Sequence, residues 1–352
     1  MGWQTRHSGN ERPAKQEAYN VFYSWLDRWD EKRARSGEES KVKTAFLLDA
    51  ERAFPGSADV TTIEAFCNLA DRAAATPSFY RLPHGDEPEF SQDGEFLKFQ
   101  SDIVTDIEKN NLVWAKLTES SASDRALVMF HHWNASGYNQ QIASFFAKRG
   151  ITVAEIAMPY HLQRSRPGSH YADYMLSPNL GRTIQAIRQA VWDGQRLITW
   201  LKNQGYREIS VLGMSLGSWV AGLVAAHDTN VSKASLFLTA GSLADMVWTG
   251  RATRSIRESL EPEISLANLR AAWAPLNLEN YAYSLARPDL DIQIVLAKRD
   301  KVVLPELSQT LIHQLNDAGA RPKILELNCG HYSLAIPPYI LRAGLNLKRF
   351  LS

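Results

Sequence analysis

Cysteine is scarce in this chain: its 352 residues hold only Cys67 and Cys329. Two thiols so far apart, with no C-x-x-C between them, cannot make a disulfide framework, and a reducing compartment is their easier home. No stretch of eighteen apolar residues occurs, which argues against a membrane-spanning helix. The first thirty residues are polar and charged and lack the apolar core of a secretory signal, so a cytoplasmic location is expected. Charge of one sign is also missing. Lys plus Arg number 39 against 38 Asp plus Glu, a formal net charge of +1, so no global field draws the chain to nucleic acid or to a membrane surface. There is no internal repeat, no low-complexity tract and no phosphate-cradling glycine loop. What is present, 45% hydrophobic and 22% charged residues, suits a large buried core in an ordinary globular protein.

The most informative stretch is Glu208-Ile209-Ser210-Val211-Leu212-Gly213-Met214-Ser215-Leu216-Gly217. A β-compatible run stops at a G-x-S-x-G, and Trp219, Val220, Leu223 and Val224 then recur at helical spacing. This predicts a serine on a tight strand-to-helix turn. A turn that projects the serine oxygen crowds its neighbours, so the positions two before and two after need almost no side chain, and Gly213 and Gly217 meet that need.

Around this point the chain alternates strand and helix. Strands are expected at 126–130, 151–157, in the run 208–212 that stops at the G-x-S-x-G, and at 234–239, 292–297 and 323–327, with helices near 138–148, 182–202 and 339–351. Repeated βα units predict an α/β fold: a mostly parallel twisted sheet with helices on both faces, over residues 96–352. Phe96–Phe99 and Leu112–Leu117 predict an antiparallel hairpin around an Asn110-Asn111 turn. Helical pieces at about 241–288, including 264–273, read as a lid inserted over the carboxyl ends of the strands, where open α/β sheets bind ligands. Residues 1–95 read as a helical N-terminal extension. There, Tyr19, Phe22, Trp25, Leu26 and Trp29 form an apolar stripe opposite Asp27, Arg28, Asp30, Glu31 and Lys32. The stripe fits packing on its own domain, a substrate entrance or a homodimer interface. A second helix is expected from Thr61, with Glu64 at capping-box spacing and Ile63, Phe66, Cys67 and Ala70 on its apolar face. Pro83, Gly85, Asp86, Glu87, Pro88, Glu89, Asp93 and Gly94 make a turn-rich acidic connector.

A serine hydroxyl is a poor nucleophile until an imidazole takes its proton, and the imidazole needs a carboxylate to fix its tautomer. His331 follows the last expected strand in Asn328-Cys329-Gly330-His331, and Asp300 follows the strand before it in Lys298-Arg299-Asp300-Lys301. The order Ser215, Asp300, His331 is the one expected of a nucleophile elbow. Asp245 is the rival acid, one strand earlier. The strand ending at Phe130 delivers His131-His132-Trp133 to the same sheet edge, where an oxyanion hole needs amides; Leu216 and Trp133 are the expected N–H donors. Adjacent strand residues point to opposite faces, so His131 and His132 do not read as a metal pair, and no metal is expected. His132, Tyr160, Arg164 and Arg166 are candidate substrate contacts. Arg251, Arg254 and Arg257 in the lid could join the two arginines in a basic mouth, or all could form ordinary salt bridges. His227 and His313 read as structural, and His7 and His84 suggest no site.

With these motifs in place, residues 96–352 resemble the α/β-hydrolase superfamily. His132 stands where the superfamily pattern usually has a glycine before the oxyanion donor. The segment Tyr171-Ala172-Asp173-Tyr174-Met175-Leu176-Ser177-Pro178-Asn179-Leu180-Gly181-Arg182-Thr183 and the Pro159-Tyr160 turn are similar to a poorly characterised bacterial abhydrolase branch. The resemblance implies cofactor-free serine hydrolase chemistry on a small acyl substrate, with a carboxylic ester foremost. A peptidase or amidase gated by the N-terminal segment, and a non-catalytic hydrolase-like binding protein, are the other readings.

Overall fold

Alternation along the strands decides which side of the sheet each side chain enters. A computed structural model gives the fold over residues 11–39, 44–83, 87–121, 124–169 and 171–352, with side chains in the first helix from residue 20 to residue 38. His7, His84, Gly85, Asp86 and the Tyr19 side chain lie outside the described residues. Among the described residues nine strands form one sheet: β1 Ser91–Asp93, β2 Phe96–Gln100, β3 Leu112–Thr118, β4 Arg125–Phe130, β5 Thr152–Ile156, β6 Glu208–Met214, β7 Val231–Phe237, β8 Asp291–Ala297 and β9 Lys323–Leu327. Their spatial order is β1-β2-β3-β5-β4-β6-β7-β8-β9. The strands from β5 to β9 run parallel, and β3 joins β5 antiparallel, as do β2 and β1 beyond it. In β4, Ala126, Val128 and Phe130 enter one apolar core while Leu127 and Met129 enter the other. Burial on both faces is what a parallel sheet sandwiched by helices requires.

The larger core lies under helices α3 (Ile63–Ala75), α6 (Leu180–Asn203), α7 (Leu216–His227) and α12 (Pro305–Asp317). The smaller lies under α5 (Gln140–Ala147) and α13 (Tyr339–Leu351), with Leu26 of α1 (Glu11–Glu39) at its rim. Between β7 and β8 come α8 (Leu243–Thr249), α9 (Arg254–Leu260), α10 (Leu266–Ala272) and α11 (Ala282–Leu285), and α2 (Ala50–Ala53) and α4 (Glu108–Asn111) are short helices nearer the N-terminus. Helix α10 packs on α3. Phe54, Phe66, Phe79 and Tyr80 therefore share the larger core with the sheet. Among the described residues no helix is long and apolar enough to cross a membrane.

Three local expectations change. Asn110 is not at a turn: β2 and β3 do pair, but α4 ends their connection, and Asn110 is buried with its amide donating to Gln189 Oε1 at 2.8 Å. Helix α3 is capped by Thr62 rather than Thr61, the Thr62 hydroxyl accepting from the Ala65 amide. The first helix turns a different face inward. Leu26, Asp30 and Ala34 are buried, whereas Phe22 and Trp25 are 44% and 48% exposed. Polar pairing with the body as well as apolar burial marks that face, since Asp27, Asp30 and Glu31 all find partners there.

Strand order also locates a crevice. The chain leaves β4 towards β5 on one side and returns as β6 on the other, so the connections diverge at the carboxyl ends of β4 and β6. Such a switch point opens a cleft in an α/β sheet. If α3 is as much part of the core as the sheet, Phe66→Ala should cost about 3–5 kcal/mol. Denaturant unfolding should then show one cooperative transition shifted to lower midpoint; an unshifted midpoint would contradict the packing.

Candidate active site

Strand β6 ends on Met214, and the next residue departs from ordinary backbone. Ser215 has φ 51° and ψ −124°, a conformation that costs of order 1–3 kcal/mol and persists only under constraint. The constraints are visible. The Ser215 amide donates to Phe237 O at 2.9 Å, tying it to β7, and the Ser218 amide donates back to Ser215 O at 2.7 Å. A Cβ at Gly217 would stand 2.3 Å from Phe130 O, and one at Gly213 would stand 2.2 Å from Gly217 O. The backbones touch there, so both positions require glycine, as the crowding argument anticipates.

Two loops at the same edge bring the other predicted residues to Ser215. His331 Nε2 lies 3.1 Å from Ser215 Oγ, and His331 Nδ1 lies 2.8 Å from Asp300 Oδ2. Asp300 is buried, and its second oxygen accepts from the Val302 and Val303 amides at 2.7 and 2.9 Å. Its carboxylate is thus fixed in orientation. Asp245 is elsewhere: it is bound by the Arg270 guanidinium at 2.9 and 2.5 Å and is not in this group.

No protein-family model and no curated sequence matches the chain. Solved structures do. Acetyl xylan esterase 1 from Thermoanaerobacterium sp. JW/SL YS485 superposes with a TM-score of 0.59 at 16% identity, over 82% of this chain and 93% of that one. Acetyl xylan esterase from Paenibacillus sp. R4 gives 0.57 at 15% identity, over 86% and 97%. Pyrococcus horikoshii acylaminoacyl peptidase gives 0.57 at 12% identity, over 75% of this chain but only 41% of that one.

This chain has the α/β-hydrolase fold.

The loop after β4 begins against Gly217, beside the turn that carries Ser215, and it is knitted from behind. The Asn134 amide donates to His161 Nε2 at 2.9 Å, the Ala172 amide donates to Asn134 Oδ1 at 2.8 Å, and Trp133 Nε1 donates to Ala172 O at 3.0 Å. His161, which the sequence reading passed over, therefore holds this loop; its position just past β5, after Pro159-Tyr160, was the available signal. The Met158 amide donates to His131 Nε2 at 3.1 Å, so His131 carries its proton on Nδ1 and gives it to His132 O. Burial pushes the pKa of His131 down to about 4 and that of His161 well below its usual value. Both are neutral struts. His132 has an exposed side chain at the rim, yet partial desolvation of its ring, then the neighbouring His331, hold its pKa below the usual value.

Two proposed substrate contacts are corrected. Arg164 is 0% exposed, paired with Asp193 at 2.8 Å and donating to the Asn110 and Ala157 carbonyls. A buried guanidinium needs such partners, and these leave it no surface for a ligand. Tyr160 is also buried, its ring edge-on to Tyr174 with centroids 5.5 Å apart. Arg166 is half-buried, binds Asp173 at 2.8 Å and lies over the Tyr174 ring. The basic mouth likewise dissolves into ion pairs: Arg251 with Glu31, Arg254 with Glu258 and Arg257 with Glu261. Burial, then Asp30 and Asp300, push the Cys329 thiol up to about 12, so it stays protonated. Among the described residues no group of His, Cys, Asp or Glu could hold a metal ion.

The His131 shift has a definite sign. Its folded pKa of about 4 lies below the ordinary 6.5, so the unfolded chain binds the extra proton between those values. The stability it contributes is present above 6.5 and is lost as pH falls towards 4. Urea midpoints at pH 7 and pH 5 should drop more for the wild type than for His131→Asn; equal drops would contradict a buried neutral imidazole.

Proposed function

We propose that the chain is a serine hydrolase that cleaves a carboxylic ester through an acyl-enzyme. The observation that carries this reading is the unbroken hydrogen-bonded line from Ser215 Oγ through His331 to Asp300. His331 Nδ1 must hold a proton to bond a carboxylate, which leaves Nε2 as the acceptor facing the hydroxyl. Ser215 Oγ attacks the acyl carbon while its proton passes to His331 Nε2, and Asp300 steadies the imidazolium. The carbonyl electrons collect on oxygen. Leu216 opens α7 and so carries one of the N–H groups that a helix start leaves without an intrahelical partner. That amide and the backbone amide of Trp133 are the proposed oxyanion donors, each worth about 3 kcal/mol at the barrier. Collapse breaks the bond to the leaving alcohol, which takes the proton from Nε2. Water then repeats the sequence and frees the acid and Ser215.

The helical insertion at 241–288 is the proposed cover of the cleft, and His132 the proposed rim contact for the acyl group. Acetyl esters are the natural first substrates, since acetyl xylan esterases share the fold. Peptidases share it too, so amide cleavage is the competing reading.

With p-nitrophenyl acetate, Ser215→Ala and His331→Ala should each lower kcat by at least about 10³-fold, and Asp300→Asn comparably, with little change in KM. Aminoacyl p-nitroanilides should turn over far more slowly than the ester. Unchanged ester turnover in Ser215→Ala would overturn the assignment, and faster anilide cleavage would transfer it to the peptidases.

A further inference from the structure

Helix α1 meets the loops of the triad through carboxylates. Asp27, Asp30 and Glu31 stand three and four residues apart and so share one helix face. Asp27 takes two hydrogen bonds from the Arg299 guanidinium, one at 2.8 Å, and Glu31 lies 3.8 Å from the Lys301 ammonium. Arg299 and Lys301 are the chain neighbours of Asp300. The Arg299 guanidinium also sits over the Tyr23 ring of the same helix.

Asp30 does more, because it is buried and bonds the backbone. The Tyr332 and Ser333 amides donate to Asp30 Oδ1 at 2.7 and 3.0 Å, and the Ser333 hydroxyl donates to Oδ2 at 2.5 Å. That hydroxyl accepts from the Gly330 amide at 2.8 Å. The residues on both sides of His331 are thus held by one carboxylate, Tyr332 directly and Gly330 through Ser333. Gly330 is part of the fit: a Cβ there would stand 2.5 Å from Asp30 Oδ2. Without Asp30, the Tyr332 and Ser333 amides and the Ser333 hydroxyl lose their acceptor in a place with little water. Half-exposed ion pairs such as Glu31 with Lys301 contribute little by comparison.

We propose that Asp30 is a positioning residue for His331, setting the loop backbone so that Nε2 stays within reach of Ser215 Oγ. This rests on the serine hydrolase reading. A displacement of about 1 Å at a reacting group can cost about 10²-fold in rate.

The test measures, per folded molecule, the rate at which a fluorophosphonate probe labels Ser215, together with kcat and KM for p-nitrophenyl acetate and the melting temperature. The proteins are the wild type, Asp30→Ala, Gly330→Ala and the double variant. Asp30→Ala should slow labelling and kcat by about tenfold to 10²-fold with KM changed by less than about twofold. Gly330→Ala should do the same in the wild-type background, by pushing the carboxylate out, but should add little to Asp30→Ala, where nothing is left to crowd. Should Asp30→Ala not fold, Gly330→Ala and Asp30→Asn carry the same comparison, with Asp30→Asn intermediate because it keeps one acceptor oxygen. A lowered melting temperature with unchanged rates would make Asp30 merely structural, and so would losses that multiply in the double variant. A wild type that the probe does not label would instead remove Ser215 as nucleophile, whereas equal labelling of wild type and Asp30 variants would sink the positioning role alone.

Discussion

Everything at the candidate site depends on how closely two pieces of backbone approach where β6 turns into α7. Gly217 lies against the carbonyls of Phe130 and His131, at the end of the neighbouring strand β4. That contact places the start of α7 directly behind the end of β4, and Ser215 joins strand to helix in the strained conformation. The same contact brings the loop after β4 level with the serine. The proposed nucleophile, the helix start and the proposed oxyanion loop are therefore set by one steric fit at the switch point of the sheet.

Around that fit, buried polar groups hold the loops that strands alone would leave slack. Arg164 and Asp193 anchor the segment after β5, His161 of that segment holds Asn134, and Asn134 with Trp133 is tied to Ala172. On the opposite side Val302 and Val303 hold Asp300, and α1 holds the chain around both Asp300 and His331. These groups are ionised or strongly polar and each has a hydrogen-bond or ion-pair partner, so they fix a geometry where an apolar contact would permit sliding.

The sheet was legible in the sequence because apolar runs and β-compatible residues carry its signal directly. The expected strand at 323–327 matches β9, the apolar run before Gly213 lies in β6, and the order of Ser215, Asp300 and His331 was readable because each follows a strand end. What escaped was polar burial. Asp27, Asp30 and Glu31 look like a solvated face when helices are read by apolar spacing, and the aromatic Phe22 and Trp25 look like the packed one. Nothing local tells a carboxylate that it will meet amides some three hundred residues away. Arg164 was singled out for its place past β5, but its buried partner Asp193 lies within α6. Asn110 reads as a turn residue by composition and is a core bridge instead, donating to Gln189 and accepting from the Tyr160 amide.

The central claim is that Ser215 carries the acyl group. Turnover of a slowly deacylated p-nitrophenyl ester should be quenched with acid during the first cycle, and the peptides then mapped by mass. One acyl group per chain is expected, on the peptide that contains Ser215, accompanied by a matching burst of p-nitrophenol. A chain that hydrolyses the ester with no burst and no acyl group on that peptide would contradict it.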